Sequence, residues 1–126
     1  MKLRIQGNSL RLRITPSEMA RLLENGRIEE TIHFAADQNA RLVYALEHRA
    51  EEKGIRVRYA PGELAVVISS ARARGWAESQ DIGLYEQMRS NDRVLDIAIE
   101  KDFACLDKSD AENIDTFPNP KQGSIC

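Results

Sequence analysis

The chain is short of residues that carry ready-made chemistry or act as staples. It has two cysteines, Cys105 and Cys126, in 126 residues. That is too few for a disulfide framework, and they lack the Cys-x-x-Cys spacing of a structural zinc site. Its two histidines, His33 and His48, match no helix-borne metal motif and are expected on the surface. No run of 18 apolar residues occurs, which excludes a helical membrane span. The opening MKLRIQGNSLRLRI mixes charges into every apolar stretch and has no signal-peptide core, so a cytoplasmic protein is expected. Neither sign of charge dominates: the net charge is −2 and the pI about 5.7. There is no basic field, and no basic run with interleaved aromatics, to draw nucleic acid. The Gly-x-x-x-x-Gly-Lys-Ser/Thr loop, the Gly-x-Ser-x-Gly elbow and the Gly-x-Gly-x-x-Gly turn are all missing.

What the sequence does contain is a repeat. Leu3, Ile5, Leu10, Leu12 and Ile14 alternate with polar residues, and Val57, Tyr59, Leu64, Val66 and Ile68 do the same 54 positions later. A helix-start residue follows in each copy, Thr15 and Ser69. Ile28 finds a counterpart in Ile82, again 54 later, while Leu42, Tyr44, Leu46 and Glu47 find Leu95, Ile97, Ile99 and Glu100 at 53. A fixed internal period marks a duplicated supersecondary unit.

Each unit reads as hairpin, helix, hairpin. Strands are expected over 2–6 and 9–14 about the Gly7-Asn8 turn, since both turn residues tolerate positive φ. Thr15-Pro16-Ser17-Glu18 opens a helix with a capping box, and Gly26 closes it. Strands follow over 27–34 and 40–48. The second unit has strands over 55–60 and 63–68 about Pro61-Gly62, a helix over 70–78 anchored by Trp76, and strands over 80–88 and 93–101. The expected fold is α+β: tandem ββαββ repeats, about 1–50 and 55–104, forming one curved antiparallel sheet or an eight-stranded barrel with two helices. A two-layer α/β sandwich is the alternative. Residues 105–126 break every period and form an acidic, proline-containing tail, with four acidic against two basic side chains. Phe117, beside Pro118 and Pro120, is expected to dock that tail near Trp76 or the first repeat's helix.

Alternation puts the charges of the opening hairpins, Lys2, Arg4, Arg11, Arg13, Arg56 and Arg58, on the face opposite the core. Glu47, Asp96 and Glu100 take that face on the closing hairpins. Such a face is either solvated and laced with ion pairs, or it points into a barrel and holds an anionic ligand. Guanidinium forks suit phosphate and carboxylate, so Arg4, Arg11, Arg13 and Arg58, with Glu47 and Glu100, are the candidate ligand-binding residues. Glu47 and Glu100 fill equivalent positions. They either share a proton or cation or pair separately with arginines. Tunnel-type triphosphate enzymes carry a Glu-x-Glu-x-Lys strand near the N-terminus; here it reads Lys2-Leu3-Arg4-Ile5-Gln6, which excludes that class. Cys105 and Cys126 with nearby acids are the candidate metal ligands.

The stretches Lys2-Leu3-Arg4-Ile5-Gln6-Gly7-Asn8-Ser9-Leu10-Arg11-Leu12-Arg13, Glu100-Lys101-Asp102-Phe103-Ala104-Cys105-Leu106 and Phe117-Pro118-Asn119-Pro120 resemble a family of small bacterial proteins of unknown function, over nearly the whole chain. The resemblance implies a bacterial, cytoplasmic, stand-alone domain and brings no catalytic residues. From the arginines alternating along the opening hairpins, the expected function is a non-enzymatic binding protein for a small anionic ligand on a charged strand face. The alternatives are a protein-interaction or homodimerisation module, and a small metal-binding protein or metal-dependent enzyme. Neither nucleic acid nor membrane is expected as a partner.

Overall fold

Turn and cap chemistry divide the chain into its elements. In the computed structural model, which describes residues 1–103 and 115–118, Gly7 and Gly62 hold the opening hairpin turns at φ of 55° and 81°. β1 (Lys2–Gln6) and β2 (Ser9–Ile14) lead into α1 (Pro16–Asn25). The Thr15 hydroxyl accepts from the Glu18 N–H at 3.3 Å and the Glu18 carboxylate accepts from the Thr15 N–H at 2.9 Å, completing the capping box. Gly26, at φ 80°, ends the helix in the left-handed region. β3 (Arg27–His33) and β4 (Arg41–Arg49) close the first unit. The second runs β5 (Ile55–Ala60), β6 (Glu63–Ser69), α2 (Ser70–Glu78), β7 (Gly83–Ser90) and β8 (Arg93–Lys101). Ser69 caps α2, and Ser70, Ala73 and Trp76, three residues apart, form its buried face.

The strands form two four-stranded sheets, β1-β2-β8-β7 and β3-β4-β6-β5. Each sheet joins the opening hairpin of one unit to the closing hairpin of the other. The hairpins are antiparallel, but the central pairs, β2 with β8 and β4 with β6, are parallel. The two ladders also share a register. Leu10 faces Ile97 in one, and Leu64 faces Tyr44 in the other, which are the same positions shifted by 54 and 53. The Ile28–Ile82 correspondence needs correcting. Ile28 pairs with Leu46, whose counterpart Ile99 pairs with Leu84, so the shift here is 56 (84 − 28). Residues 79–82 follow α2 where Gly26 alone follows α1, and they absorb the difference.

One core lies between the sheets and helices. Leu12, Ile14 and Ile99 from the first sheet meet Leu46, Val66 and Ile68 from the second, with Leu22 of α1 and Trp76 of α2, all at most 1 % exposed. The interior is thus apolar, and the charged strand faces point outward. The sheets do not close into a barrel. Among the described residues no ladder joins β5 to β7: the Val57 N–H donates instead to the Met88 sulfur at 3.3 Å. On the other side the Met1 amine pairs with Glu18 and Glu30, and the Tyr44 hydroxyl donates to the Met1 carbonyl at 3.3 Å. Side chains fill both seams where backbone pairing would be needed for closure.

The described part of the tail lies on the domain. The Phe117 N–H donates to the Asp102 carbonyl at 2.8 Å. Its ring meets Phe103 edge-on with centroids 5.9 Å apart, and Lys101 Nζ sits 5.5 Å from the Phe117 centroid. Asp115 accepts from the Ser17 hydroxyl at 2.5 Å and the Ser17 N–H at 3.2 Å, in the first turn of α1 where a negative charge is favoured. Phe117→Ala is expected to lower stability by about 1–3 kcal/mol, through lost burial and ring contacts. A urea-unfolding midpoint equal to that of the parent would show that the segment holds nothing in place.

Candidate functional site

The outer face of the β1-β2-β8-β7 sheet is read as three cross-strand rows. Lys2, Arg13, Glu100 and Gly83 form the first, Arg4, Arg11, Ala98 and Tyr85 the second, and Gln6, Ser9, Asp96 and Gln87 the third. Small Ser9 and Ala98 lie over the central strands, and longer side chains rise from β1 and β7. The result is an open trough of about 510 Å³, lined by Arg4, Gln6, Ser9, Arg11, Tyr85, Gln87, Asp96 and Ala98 among others.

Charge is unevenly satisfied along this face. Glu100 accepts from the Tyr85 hydroxyl at 2.7 Å and meets Arg11 Nε at 3.2 Å and Arg13 Nε at 3.7 Å. Burial and the bond to Glu100 push the Tyr85 phenol up to about 12, so it stays a donor throughout the neutral range. Lys2 pairs with Asp102 at 3.0 Å. Asp96 accepts from the Gln87 amide at 2.9 Å. Among the described residues the Arg4 guanidinium bonds only the Gln6 side-chain carbonyl, at 3.0 Å, and no carboxylate lies within 4.0 Å of it. Yet Arg4 sits directly opposite Arg11, and like charges in that position repel.

The outer face of the other sheet is filled. Glu47, with a side chain only 7 % exposed, meets Arg58 at 2.6 Å and Arg27 and Arg49 at 3.0 Å. Glu63 meets Arg27 at 3.0 Å and Arg58 at 3.4 Å. This network lies over Ala45 and Ala65, which are fully buried beneath it. Burial raises the Glu47 carboxyl, but hydrogen bonds from Arg49 and Arg58 outweigh it and hold the group below the usual carboxylate range.

Of the six candidate ligand residues, the fold gathers Arg4, Arg11, Arg13 and Glu100 on one sheet and Arg58 and Glu47 on the other. The two glutamates are equivalent in register, but each is held by its own arginines. Cys105 and Cys126 lie outside the described residues. Among the described residues no group of three or more His, Cys, Asp and Glu is arranged to hold a metal ion. His33 is exposed, but His48 is half-buried, with Nδ1 2.7 Å from the Ser70 hydroxyl, so it is not the surface residue expected. Sequence reading missed Tyr85 and Gln87. Gly83 leaves its row open, and the Tyr85 hydroxyl comes within 3.1 Å of where a Cβ would stand.

These elements define a duplicated α+β domain of two interlocked four-stranded sheets and two helices, with one open and one filled charged face. The chain belongs to DUF7009, a family of unknown function, whose model matches residues 1–121. No match was found among curated proteins or solved structures. No helix of the described residues is long and apolar enough to cross a membrane.

Two outcomes test this geometry. A Cβ at Gly83 would meet the Ile99 carbonyl at 2.5 Å and the Glu100 Cγ at 3.0 Å. Gly83→Ala should therefore cost about 1–3 kcal/mol, since a backbone oxygen cannot move aside cheaply; an unchanged unfolding midpoint would contradict the packing. Glu47→Gln should cost about 1–3 kcal/mol at neutral pH, less than a fully buried pair because its arginines are partly exposed. A carboxyl lowered by folding stabilises above its ordinary value of 4.5 and loses that contribution as pH falls through its folded value. The stability gap between parent and variant, measured by urea titration, should accordingly narrow below about pH 4.5. A gap constant with pH would count against the ionised network.

Proposed function

We propose that the protein is a non-enzymatic binding protein for a small anionic ligand, taken on the outer face of the β1-β2-β8-β7 sheet. The observation that carries this is Arg4. It stands opposite Arg11 at the edge of an open trough, and among the described residues it has no carboxylate partner. An anion there would relieve the repulsion and engage two guanidinium forks. Glu100, in the neighbouring row, holds both Arg11 and Arg13. Arg58 and Glu47 serve the other sheet as structural partners.

A thermal-shift screen of phosphorylated metabolites and inorganic phosphate tests this reading. A ligand at a hundredfold excess over its Kd adds about 2.7 kcal/mol, which is several degrees for a domain of this size. Arg4→Ala should lose that response with little change in basal stability. Arg58→Ala should melt lower yet keep the response. The response should also weaken with added salt, because the face is solvated. No shift with any anion, or an equal shift in Arg4→Ala, would remove the reading.

A further inference from the structure

The two outer faces share one register but are filled differently, and the difference indicates what the trough takes. Ser9 stands between Gln6 and Asp96 across its sheet, as Glu63 stands between Ala60 and Val43 across the other. Arg4 faces Arg11 as Arg58 faces Ala65. On the filled face the Glu63 carboxylate reaches Arg27 at 3.0 Å and Arg58 at 3.4 Å. The protein there supplies its own anion between two guanidinium groups. On the open face the same position is a serine, whose hydroxyl donates to the Gln6 backbone carbonyl at 2.6 Å. The space a glutamate would take is left to the trough. Arg27 has Gly83 as its counterpart here, so the second guanidinium comes instead from Arg11, where the filled face has Ala65.

The chemistry changes along the trough. Beside Ser9, on the next strand, lies Asp96, which accepts a bond from Gln87 at 2.9 Å through one oxygen. A carboxylate in that place pushes the phosphate toward the Arg4–Arg11 row, and beside itself calls for a hydroxyl or another donor. The two guanidinium groups suit a tetrahedral phosphate, whose oxygens can occupy both forks, better than a single carboxylate.

We infer, resting on the anion-binding reading above, that the ligand is a phosphate monoester of a small polyol or sugar. Its phosphate lies over Ser9 between Arg4 and Arg11, where Glu63 lies on the other face, and its hydroxyls donate to Asp96. Ser9 is then the residue that keeps the site open.

Calorimetric titration of the full chain with inorganic phosphate, glycerol and glycerol phosphate tests this, using the parent, Ser9→Glu, Ser9→Ala and Asp96→Asn. In the parent, glycerol phosphate should bind about tenfold tighter than phosphate, the worth of roughly one charge-assisted hydrogen bond, and glycerol alone should not register. Ser9→Glu should lose both anions because its own carboxylate occupies the seat; its melting temperature is measured alongside, since the new carboxylate stands opposite Asp96. Ser9→Ala should keep both. Asp96→Asn should close the gap between glycerol phosphate and phosphate, since the charge-assisted bond is lost while the repulsion felt by both anions is relieved. Equal affinities in the parent, or an indifferent Asp96→Asn, would overturn the polyol assignment and leave anion binding standing. Undiminished binding by folded Ser9→Glu would overturn the placement. Should Ser9→Glu fail to fold, the Asp96→Asn comparison decides. No binding of either anion by the parent would overturn the underlying reading itself.

Discussion

The parallel pairing of β2 with β8, and of β4 with β6, is the constraint on which the rest of the structure depends. Each pair lies at the centre of a sheet and joins the two halves of the chain. A hairpin alone is marginal in water. Here each of the four hairpins gains its second neighbour only when the other half is present. β2 and β8 are separated by most of the domain, so their contact carries a large loop-closure cost before any burial offsets it. Burial of Leu12 and Ile99 on that seam, both nearly inaccessible, is what offsets it.

The interlocking also explains the two outer faces. Duplication places equivalent positions in equivalent rows, so Arg4 matches Arg58, Ala98 matches Ala45 and Glu100 matches Glu47. The faces differ at most of the other positions. Arg27 in one becomes Gly83 in the other, and Tyr85, which takes the place of Glu29, delivers its hydroxyl to Glu100 instead. Glu63 becomes Ser9. One face is thereby neutralised from within by carboxylates, which contribute to stability through partly buried pairs. The other keeps, beside an open trough, an arginine with no carboxylate partner among the described residues. Ion pairs at a solvated surface are individually weak. An arginine held opposite another adds little to stability, and it is the feature on which the proposed anion site rests.

Local chemistry made much of the fold readable from the residues. The capping box at Thr15 and Glu18, the Gly7 and Gly62 turns and the strict alternation of β2 and β8 each depend on a few neighbouring residues, and their strands fall where alternation puts them. The start of β7 was less clear. Its alternation runs on from the extended residues 79–82, and nothing local separates the connection from the strand. Closure into a barrel and the parallel centre were beyond sequence reading, because both turn on which hairpins pair at long range. The orientation of the charged face follows from the apolar core between the sheets. The division of the arginines between two sheets follows from the interlocking. Arg4 and Arg58 look alike in sequence, and only the register reveals that one is met by Glu47 and Glu63 while the other faces Arg11.

The most direct test of the account is an amide NMR titration of the full chain with glycerol phosphate. The account predicts saturable shift changes confined to the open face, centred on Arg4, Ser9, Arg11, Tyr85 and Asp96, with Arg27, Glu47, Arg58 and Glu63 unmoved. Changes centred on the filled face, or none at saturating ligand, would contradict it.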